Sequence, residues 1–246
     1  MRTAFDMIGS REKAVAIVDK SVTKKQALEI IKKHKSIVSV LKKTSGRSGK
    51  YRKYKFKLIT GNKNTEVIHK EHSLKFKLDP QKTYFSPREA TERQRILKKI
   101  KPKEKVLVMF SGIGPFGIVI AKAKPKAKVT CIELNRSAVK YSKENELLNK
   151  IKNMESIAGD VSKVTKGKYD RIIMPLPETA YQFLKVAKKH CKKSGIIHLY
   201  GFSGEDKFKD MEKEIKKIHG LRILKRSKIL PYAPKKWKVR FDLKKL

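Results

Sequence analysis

The amino-acid sequence predicts an α/β protein in which a smaller α+β unit precedes a doubly wound parallel sheet. From Val106 onward, short apolar runs alternate with segments of helical periodicity, as in folds where strands and helices follow one another. Before about residue 80, some strand-like runs instead have lysine at every second position. A turn signal at Asp79-Pro80 separates the two patterns. We therefore predict one domain over residues 1–81 and a second over residues 82–246.

The first domain begins with a short apolar strand over residues 14–18. Thr23 is a suitable N-cap for a helix that runs to about His34, and a second strand is expected over residues 37–41. Further strands are predicted over residues 51–58, 65–69 and 74–78. The turn residues 61–64 favour a hairpin between the first two of these strands.

In the strand over residues 51–58, Lys53, Lys55 and Lys57 point to one side and Arg52 to the other, together with the apolar side chains. Lysines alternate again over residues 74–78. These strands predict a sheet with one face lined by lysine, and the alternative is an exposed face that lysine merely keeps soluble.

The second domain begins with a helix from Pro87, capped by Ser86, to about Ile100. Strands and helices then alternate, and two further strands close one edge of the sheet. The predicted strands cover residues 106–110, 129–134, 154–158, 170–174, 195–200, 221–228 and 236–243, and the predicted helices cover residues 115–123, 136–149, 178–192 and 206–218.

The balance of charge indicates a polyanionic partner. The chain has 246 residues, of which 63 are basic and 23 acidic, giving a net charge of +40. Such a charge repels itself unless phosphates neutralise it, which favours RNA or DNA binding over a merely lysine-rich composition. Most basic residues are lysines, which supply affinity rather than base recognition.

Composition also argues against several classes of protein. The two cysteines, Cys131 and Cys191, lack the spacing of a zinc site, and their apolar neighbours predict that both are core residues. No apolar run approaches the roughly 20 residues of a membrane span, and the N-terminus lacks the apolar segment of a signal peptide. We expect a cytoplasmic protein that does not bind membranes and that is a monomer.

A glycine-rich motif marks the start of the parallel sheet. Gly112, Gly114 and Gly117 follow the first strand with GxGxxG spacing and open a helix, and Glu133 follows about twenty residues later at the end of the next strand. Glycine lets the backbone approach a ligand, and a carboxylate in that place accepts both hydroxyls of a ribose. Both NAD and S-adenosylmethionine bind such a motif. Pro115 removes a backbone donor at the helix start, which favours the cofactor without phosphate.

Two further segments follow strand ends in the same way. Asp160 is suited to meet an adenine amino group, although a helix cap is the alternative. The segment Met174-Pro-Leu-Pro-Glu178 predicts a rigid loop after a central strand, where ligands bind in such sheets. This loop is suited either to hold a flat base or simply to connect the strand to the next helix.

Four ordered motifs resemble the archaeal and eukaryotic tRNA methyltransferases that modify N1 of guanosine 37 with S-adenosylmethionine. They cover nearly the whole chain and read Tyr84-Phe-Ser-Pro-Arg-Glu-Ala-Thr-Glu-Arg, Met109-Phe-Ser-Gly-Ile-Gly-Pro-Phe-Gly, Met174-Pro-Leu-Pro-Glu and Tyr232-Ala-Pro-Lys-Lys-Trp-Lys-Val. The resemblance implies a class I methyltransferase sheet of the Rossmann type, an RNA-binding N-terminal domain, and the tRNA anticodon stem-loop as partner. Compared with this family, the chain is expected to lack the small N-terminal domain.

The resemblance also implies the roles of individual residues. Glu92 matches the glutamate that removes the guanine N1 proton, and poor solvation would make it a suitable base. Arg52 matches an arginine at guanine O6, where a fixed cation stabilises developing charge; alternatively it extends to solvent from a strand end. Pro175 lies in the loop that shapes the guanine pocket. The residues expected to bind the cofactor are Tyr84, Phe110, Gly112, Gly114, Phe116, Glu133, Leu134, Asp160, Val161 and Pro175.

Two positions depart from the family pattern. The loop usually reads Asn-Leu-Pro, whereas this chain has Pro175 at the asparagine position, and an acid is usual at Val108. Two other functions stay open, the first because closely related enzymes have it and the second because of these two losses. One is transfer of an aminocarboxypropyl group from the same cofactor to the same tRNA position in wybutosine synthesis. The other is noncatalytic RNA binding on a methyltransferase fold.

Overall fold

The computed structural model describes residues 3–45, 54–176, 179–204 and 208–246, and their helices and strands follow in chain order. The strands are β1 (Phe5–Gly9), β2 (Ala14–Val18), β3 (Ile37–Lys43), β4 (Phe56–Gly61), β5 (Val67–Glu71), β6 (Leu74–Leu78), β7 (Lys105–Met109), β8 (Lys128–Glu133), β9 (Met154–Ala158), β10 (Tyr169–Met174), β11 (Cys191–Ser203), β12 (Leu221–Ala233) and β13 (Lys236–Lys245). The α-helices are α1 (Lys24–Lys33), α2 (Ala90–Leu97), α3 (Pro115–Ala123), α4 (Arg136–Leu148), α5 (Val161–Val164), α6 (Leu184–His190) and α7 (Lys209–Lys216). Short 3-10 turns precede α2 and α6, at Pro87–Glu89 and Ala180–Phe183.

The chain divides into two compact units. The first contains Met1–Ala90, Gly112–Pro115 and Asn135–Lys150, and the second contains Thr91–Ser111, Phe116–Leu134 and Ile151–Leu246. The domain boundary placed between residues 81 and 82 stays a prediction. Within the described residues, no helix is both long and apolar enough to cross a membrane.

The first unit is built on a four-stranded sheet in the order β1-β2-β3-β4. The helix predicted after Thr23 is confirmed: Thr23 and Gln26 form a reciprocal capping box at the start of α1, and His34 ends the helix. Alanine, valine and isoleucine side chains from β2, α1 and β3 form the core of this unit. The strand predicted over residues 51–58 begins only at Phe56, and residues 51–53 of that prediction lie outside the described residues.

The predicted hairpin from residues 51–58 into residues 65–69 is wrong. β4 pairs with β3 along its whole length, and the Asn62 N–H extends this pairing by donating to the Val38 carbonyl. The side chains of Asn62 and Asn64 then accept from backbone N–H groups two residues ahead, at 2.8 and 3.1 Å. Because these two turns satisfy the backbone locally, the chain leaves the sheet, and β5 pairs with β6 instead.

Helix α4 completes the small β5-β6 sheet by means of side-chain amides. Asn145 accepts from the N–H of Lys77 at 2.6 Å and donates to its carbonyl at 3.1 Å. Asn149 does the same with Lys75, at 2.9 and 2.7 Å. The two amides take the place of a third strand, so the edge of β6 keeps its hydrogen bonds.

The second unit holds a seven-stranded sheet in the order β12-β13-β11-β10-β7-β8-β9. Strands β7 to β11 run parallel where they are neighbours, and β13 pairs antiparallel with β11 and β12. The doubly wound sheet and the two closing strands predicted from sequence are therefore confirmed. From β7, the chain winds first towards β9 and then, starting from β10, the other way. The carboxyl ends of β7 and β10 thus flank the point where strand order reverses, which is where ligands bind in such sheets.

Both faces of this sheet are covered. Leu107 and Met109 of β7 pack into one apolar cluster, together with residues of α5, α6 and α7. Val106 and Val108 face the opposite way, into a cluster with residues of α2 and α3. Both cysteines are buried, as predicted, each in one of these clusters. The predicted helix over 178–192 is split into a 3-10 turn and α6, and α5 is a short helix that the sequence did not predict.

Candidate active site

The glycine-rich motif forms the turn between β7 and α3 that the sequence predicts. Phe110, Gly112 and Gly114 have φ angles of +55°, +57° and +84°. Only glycine adopts such angles without strain, which explains its presence at positions 112 and 114. Phe110 is held in this conformation while its ring packs edge-to-face against Phe183, with centroids 5.0 Å apart.

The glycines of the motif serve different purposes. A Cβ atom at Gly112 would meet only the Tyr84 carbonyl oxygen within 4 Å, at 3.6 Å, so the described residues leave room beside this backbone. A Cβ atom at Gly117 would lie 2.4 Å from the sulfur of Cys131 and 2.9 Å from that of Met154. Gly117 therefore allows α3 to pack closely on the sheet, whereas Gly112 allows a ligand to approach the turn.

Ser111, within this turn, carries a buried polar atom that lacks a partner. The residue is 6% exposed, and its Oγ has no hydrogen bond to any of the described residues. Its backbone N–H donates to the Ile132 carbonyl at 3.1 Å. A buried hydroxyl in this state costs about 1–3 kcal/mol, which a ligand offering a hydrogen bond would recover.

The acidic residues predicted to bind the cofactor follow neighbouring parallel strands. Glu133 is the last residue of β8 and is half-buried, level with Ala158 of β9. Asp160 is the N-cap of α5, and its Oδ1 accepts from the Ser162 N–H at 2.8 Å and the Ser162 hydroxyl at 2.7 Å. The structure thus gives Asp160 the capping role that the sequence left as an alternative, and its contact with adenine stays a prediction.

The other predicted site residues differ in burial. Phe116 and Val161 are core residues, and the ring of Phe116 packs against Tyr200 with centroids 6.0 Å apart. Tyr84 is partly exposed, and Leu134 and Pro175 are half-buried. The roles assigned to these residues stay predictions.

Three further positions concern the predicted guanine pocket. Arg52 lies outside the described residues, as do residues 177 and 178 of the proline-rich loop. Val108, at the position where the family usually has an acid, is buried in the apolar face of β7. Its side chain contributes to the core of the sheet.

Glu92, the predicted base, is buried on α2 with a residual exposure of 2%. Its Oε1 accepts a hydrogen bond from the Tyr200 hydroxyl at 2.7 Å and another from Nη1 of Arg240. Its Oε2 has no hydrogen-bond partner among the described residues, and Nη1 of Arg95 lies 3.8 Å away. The poor solvation expected of this carboxylate is therefore observed, and one of its oxygens is still able to accept a proton.

The pair between Glu92 and Arg240 is one end of a buried ionic network. Arg240 donates from Nε to Oδ1 of Asp242 at 2.7 Å. The same Oδ1 lies 2.6 Å from Nδ1 of His198, and Lys99 approaches Oδ2 to 3.3 Å. Arg240 thus holds two carboxylates, Glu92 on one side and Asp242 on the other.

The network ends in a second arginine. Arg171 donates through Nε and Nη2 to the two oxygens of Glu104, at 2.8 and 2.9 Å, and Nη2 also donates to the Lys99 carbonyl at 2.7 Å. Its Nη1 lies 2.8 Å from Nε2 of His198. Because arginine can only donate, Nε2 of His198 must accept, and the neutral imidazole carries its proton on Nδ1, directed at Asp242. Among the described residues, the network contains three carboxylates, Glu92, Glu104 and Asp242, and four cations, Arg95, Lys99, Arg171 and Arg240.

Burial governs the protonation of this network. Removal from water lowers the pKa of His198 to about 4, although the hydrogen bond and charge of Asp242 act in the opposite direction. Burial alone would raise the pKa of Asp242, but the hydrogen bonds and charges of His198 and Arg240 outweigh it and hold that pKa below its usual range. His198 is therefore neutral and Asp242 ionised at neutral pH.

The alternation of side chains along two strands produces the network. His198 pairs with Asp242, and Tyr200 pairs with Arg240, across the antiparallel β11 and β13. Residues two apart share one face of a strand, so all four side chains lie on the sheet face that carries Val106 and Val108. Ile96 of α2 packs against the same face. Sequence reasoning missed these residues, because Val239, Phe241 and Leu243 alternate with Arg240 and Asp242 in the pattern of a half-exposed strand.

Comparison with known proteins identifies the class and then the family. The fold is that of class I methyltransferases that use S-adenosylmethionine, and the TRM5/TYW2 methyltransferase domain matches residues 67–225. The tRNA (guanine(37)-N(1))-methyltransferase Trm5b of Pyrococcus abyssi is 38% identical over 98% of this chain and 74% of its own length. The chain belongs to the TRM5/TYW2 methyltransferase family.

Solved structures give the same result. The complex of aTrm5 with tRNALeu superposes with a TM-score of 0.88 at 28% identity, covering all of this chain and 73% of that one. Methanocaldococcus jannaschii TYW2 in complex with AdoMet superposes with a TM-score of 0.72 at 27% identity, covering 99% of this chain and all of that one. The similarity thus extends to both branches of the family.

The replacement His198→Gln tests the buried network through the pH dependence of stability. The unfolded chain protonates His198 near pH 6.5, whereas the folded chain does so only near pH 4. Between these values the unfolded state binds more protons, so acidification lowers the free energy of unfolding, by about 3 kcal/mol from this residue. In urea unfolding between pH 7 and pH 4.5, we expect the free energy of unfolding of His198→Gln to fall less steeply on acidification than that of the wild type.

The control is His219→Gln, which changes an exposed histidine after α7 and should keep the wild-type slope. Equal slopes for wild type and His198→Gln would mean that His198 is protonated as easily in the folded chain as in the unfolded one.

Proposed function

We propose that this chain is a tRNA methyltransferase that transfers a methyl group from S-adenosylmethionine to N1 of guanosine 37. Membership of the family and the similarity to Trm5b support this function. The structural observation that carries it is the buried carboxylate of Glu92, with one oxygen held by the protein and the other available. A reaction that removes the guanine N1 proton requires such a base.

The turn after β7 suits the proposed cofactor. Gly112 leaves space beside the backbone, and Glu133 is suited to the ribose hydroxyls. Ser111 offers a buried hydroxyl that has no partner among the described residues. The first residue of α3 is Pro115, which has no N–H to offer a phosphate, and S-adenosylmethionine has no phosphate. When bound, this cofactor supplies a methyl group on a positively charged sulfur.

The residues of the chain would then act on the guanine. Glu92 would take the N1 proton through Oε2, and the electron pair left on N1 would form the bond to the methyl carbon. The bond between that carbon and the sulfur would break at the same time, and its electron pair would leave with the sulfur. Arg52 stabilises the charge that develops on O6. Pro175 and its loop hold the flat base, which must first be unstacked from the anticodon loop.

The tRNA would be bound largely through its phosphates, which the net charge of +40 favours. Lys55, Lys57 and Lys75 are exposed in the first unit. They do not share one sheet as predicted, because Lys57 lies on β4 of the four-stranded sheet and Lys75 on β6 of the two-stranded sheet. Lys77 is different, because Glu66 and Glu144 pair with it at 3.1 and 2.9 Å and raise its pKa. The first three lysines are therefore the proposed contacts to the anticodon stem-loop.

Aminocarboxypropyl transfer is the second candidate function. It is favoured by the similarity to TYW2, which extends over the full length of both chains. The two reactions add different groups to position 37, so mass spectrometry of nucleosides from modified tRNA separates them. Methyl transfer predicts a methylated guanosine, and aminocarboxypropyl transfer predicts the larger group.

The replacement Glu92→Gln tests the proposed base. Glutamine keeps the size of the side chain and an oxygen for Tyr200 and Arg240, but it cannot take a proton. We expect single-turnover methylation of a tRNA transcript to slow at least about a hundredfold, while calorimetry finds cofactor binding retained. Glu155→Gln, which changes an exposed glutamate on β9, should behave as wild type. Full methylation by Glu92→Gln would show that another group is the base.

The replacement Ser111→Ala tests the cofactor site. If Oγ of Ser111 binds the cofactor, alanine should raise the Kd for S-adenosylmethionine about threefold to tenfold. It should also stabilise the cofactor-free protein by about 1 kcal/mol, because an unsatisfied hydroxyl is removed. Ser39→Ala is the control: its hydroxyl donates to the Asn62 carbonyl at 2.6 Å, so its loss should lower stability and leave the Kd unchanged. An unchanged Kd in Ser111→Ala would exclude this contact.

Salt dependence tests the proposed contacts to RNA. The double replacement of Lys55 and Lys57 by Gln should weaken tRNA binding and reduce the slope of log Kd against log salt by about 1 to 2. The control is the double replacement of Lys126 and Lys128 by Gln, which removes the same charge. Both lysines are exposed, at or just before the amino-terminal end of β8. If replacing Lys55 and Lys57 changed tRNA binding and its salt dependence no more than the control does, the assignment would be contradicted. A shallow slope of log Kd against log salt for the wild type would contradict it as well.

A further inference from the structure

The two oxygens of the Glu92 carboxylate have very different surroundings. Among the described residues, Oε1 accepts two hydrogen bonds, from Tyr200 and from Arg240. Oε2 is equally buried but has no hydrogen bond from the described residues. If the carboxylate rotated freely, Oε1 and Oε2 would exchange these two environments. A structural constraint must therefore hold its orientation.

We infer that Tyr200 and Arg240 are positioning residues that hold Oε1 of Glu92, so that Oε2 is the oxygen that takes the proton from guanine N1. This inference rests on the proposed function, because it presupposes that Glu92 is the base. It adds two residues, from β11 and β13, that sequence reasoning did not connect with the reaction.

The phenol of Tyr200 is itself fixed. The side chain is fully buried, the ring of Phe116 packs against it, and Nζ of Lys238 lies 5.0 Å from the centre of its ring. Its hydroxyl therefore donates to Oε1 of Glu92 from a well-packed ring. A hydrogen bond to an ionised carboxylate is among the stronger ones in proteins, and it has a preferred direction.

Arg240 adds a constraint of a different kind. Its planar guanidinium reaches Glu92 through Nη1 and Asp242 through Nε, and both carboxylates are buried. Asp242 is held in turn by His198, so the guanidinium has little freedom to follow a rotating Glu92. Rotation of the Glu92 carboxylate would break a charge-assisted bond in a region with little water.

Polar and charged groups face Glu92 from three elements. Tyr200 faces it from β11, Arg240 from β13, and Arg95 from its own helix. Lys238 and Asp242 lie one contact further away on β13. Loss of a contact to Oε1 should therefore slow the removal of the N1 proton and leave the Kd for S-adenosylmethionine unchanged.

The decisive variant is Tyr200→Phe, which removes only the hydroxyl. Single-turnover methylation should be measured from pH 5.5 to pH 9 with saturating tRNA and S-adenosylmethionine. We expect the rate at pH 7.5 to fall about tenfold. The Kd for S-adenosylmethionine should not change, since no contact of Tyr200 with the cofactor is proposed.

The matched control is Tyr141→Phe. The Tyr141 hydroxyl donates to Oε2 of Glu66 at 2.6 Å, which is also a tyrosine–carboxylate bond, partly buried and without a described contact to Glu92. This variant should keep both the wild-type rate and the wild-type pH profile. Thermal unfolding of both variants shows whether each is folded under the conditions of the assay.

Arg240→Lys separates charge from geometry and provides a second test if Tyr200→Phe does not fold. Lysine keeps the positive charge, but its single ammonium group cannot reproduce the planar bridge between Glu92 and Asp242. We expect a lower rate and an unchanged Kd for S-adenosylmethionine.

The outcomes separate this inference from the proposed function. If Glu92→Gln is inactive but folded Tyr200→Phe and Arg240→Lys both match the wild type at every pH, the positioning role is wrong and the base assignment stands. If Glu92→Gln methylates fully, or if the wild type transfers no methyl group to tRNA, the proposed base or function fails and the positioning role fails with it. A slower reaction in folded Tyr200→Phe supports the inference, provided that its Kd for S-adenosylmethionine is unchanged and that Tyr141→Phe reacts at the wild-type rate.

Discussion

The buried guanidinium of Arg240, held between the carboxylates of Glu92 and Asp242, is the interaction on which the rest of the second unit depends. It joins α2 to β13 across the face of the sheet. Burying such charges is costly, and a network of this kind is tolerated only when nearly every member has its partner. Removing one partner typically costs about 3–5 kcal/mol because the other charge stays buried. The same contact that fixes α2 therefore also fixes the carboxylate on it.

This arrangement links the stability of the fold to its chemistry. A carboxylate fully satisfied by the protein would be a poor acceptor for a substrate proton, and one without any partner would be too costly to bury. Glu92 lies between these extremes, with Oε1 held by Tyr200 and Arg240 and Oε2 without a hydrogen bond from the described residues. The free-energy cost of burying Oε2 without a hydrogen bond is small compared with the stabilisation that the ionic network provides. A substrate that donates a proton to Oε2 would remove that cost.

Local signals predicted much of the fold, whereas contacts between distant segments did not follow from them. Helix α3 begins at Pro115 and ends at Ala123 as the glycine turn before it and the spacing of apolar residues predict. The hairpin expected at Gly61 is wrong, because the pairing of β4 with β3 and the turns at Asn62 and Asn64 outweigh the turn signal. Glu92 was found only through the family resemblance, and Arg240 and Asp242 were missed. Their alternation with apolar residues is typical of an exposed face, and only the packing of α2 on β13 buries them.

The most direct test of the account is a structure of the protein with an anticodon stem-loop and S-adenosylhomocysteine, at a resolution that distinguishes the two oxygens of Glu92. The account predicts that N1 of guanosine 37 lies within hydrogen-bond distance of Oε2, about 2.6–3.2 Å. Oε1 should keep its bonds to Tyr200 and Arg240. A guanine bound with N1 far from Glu92, or a Glu92 whose Oε1 has left both partners, would contradict it.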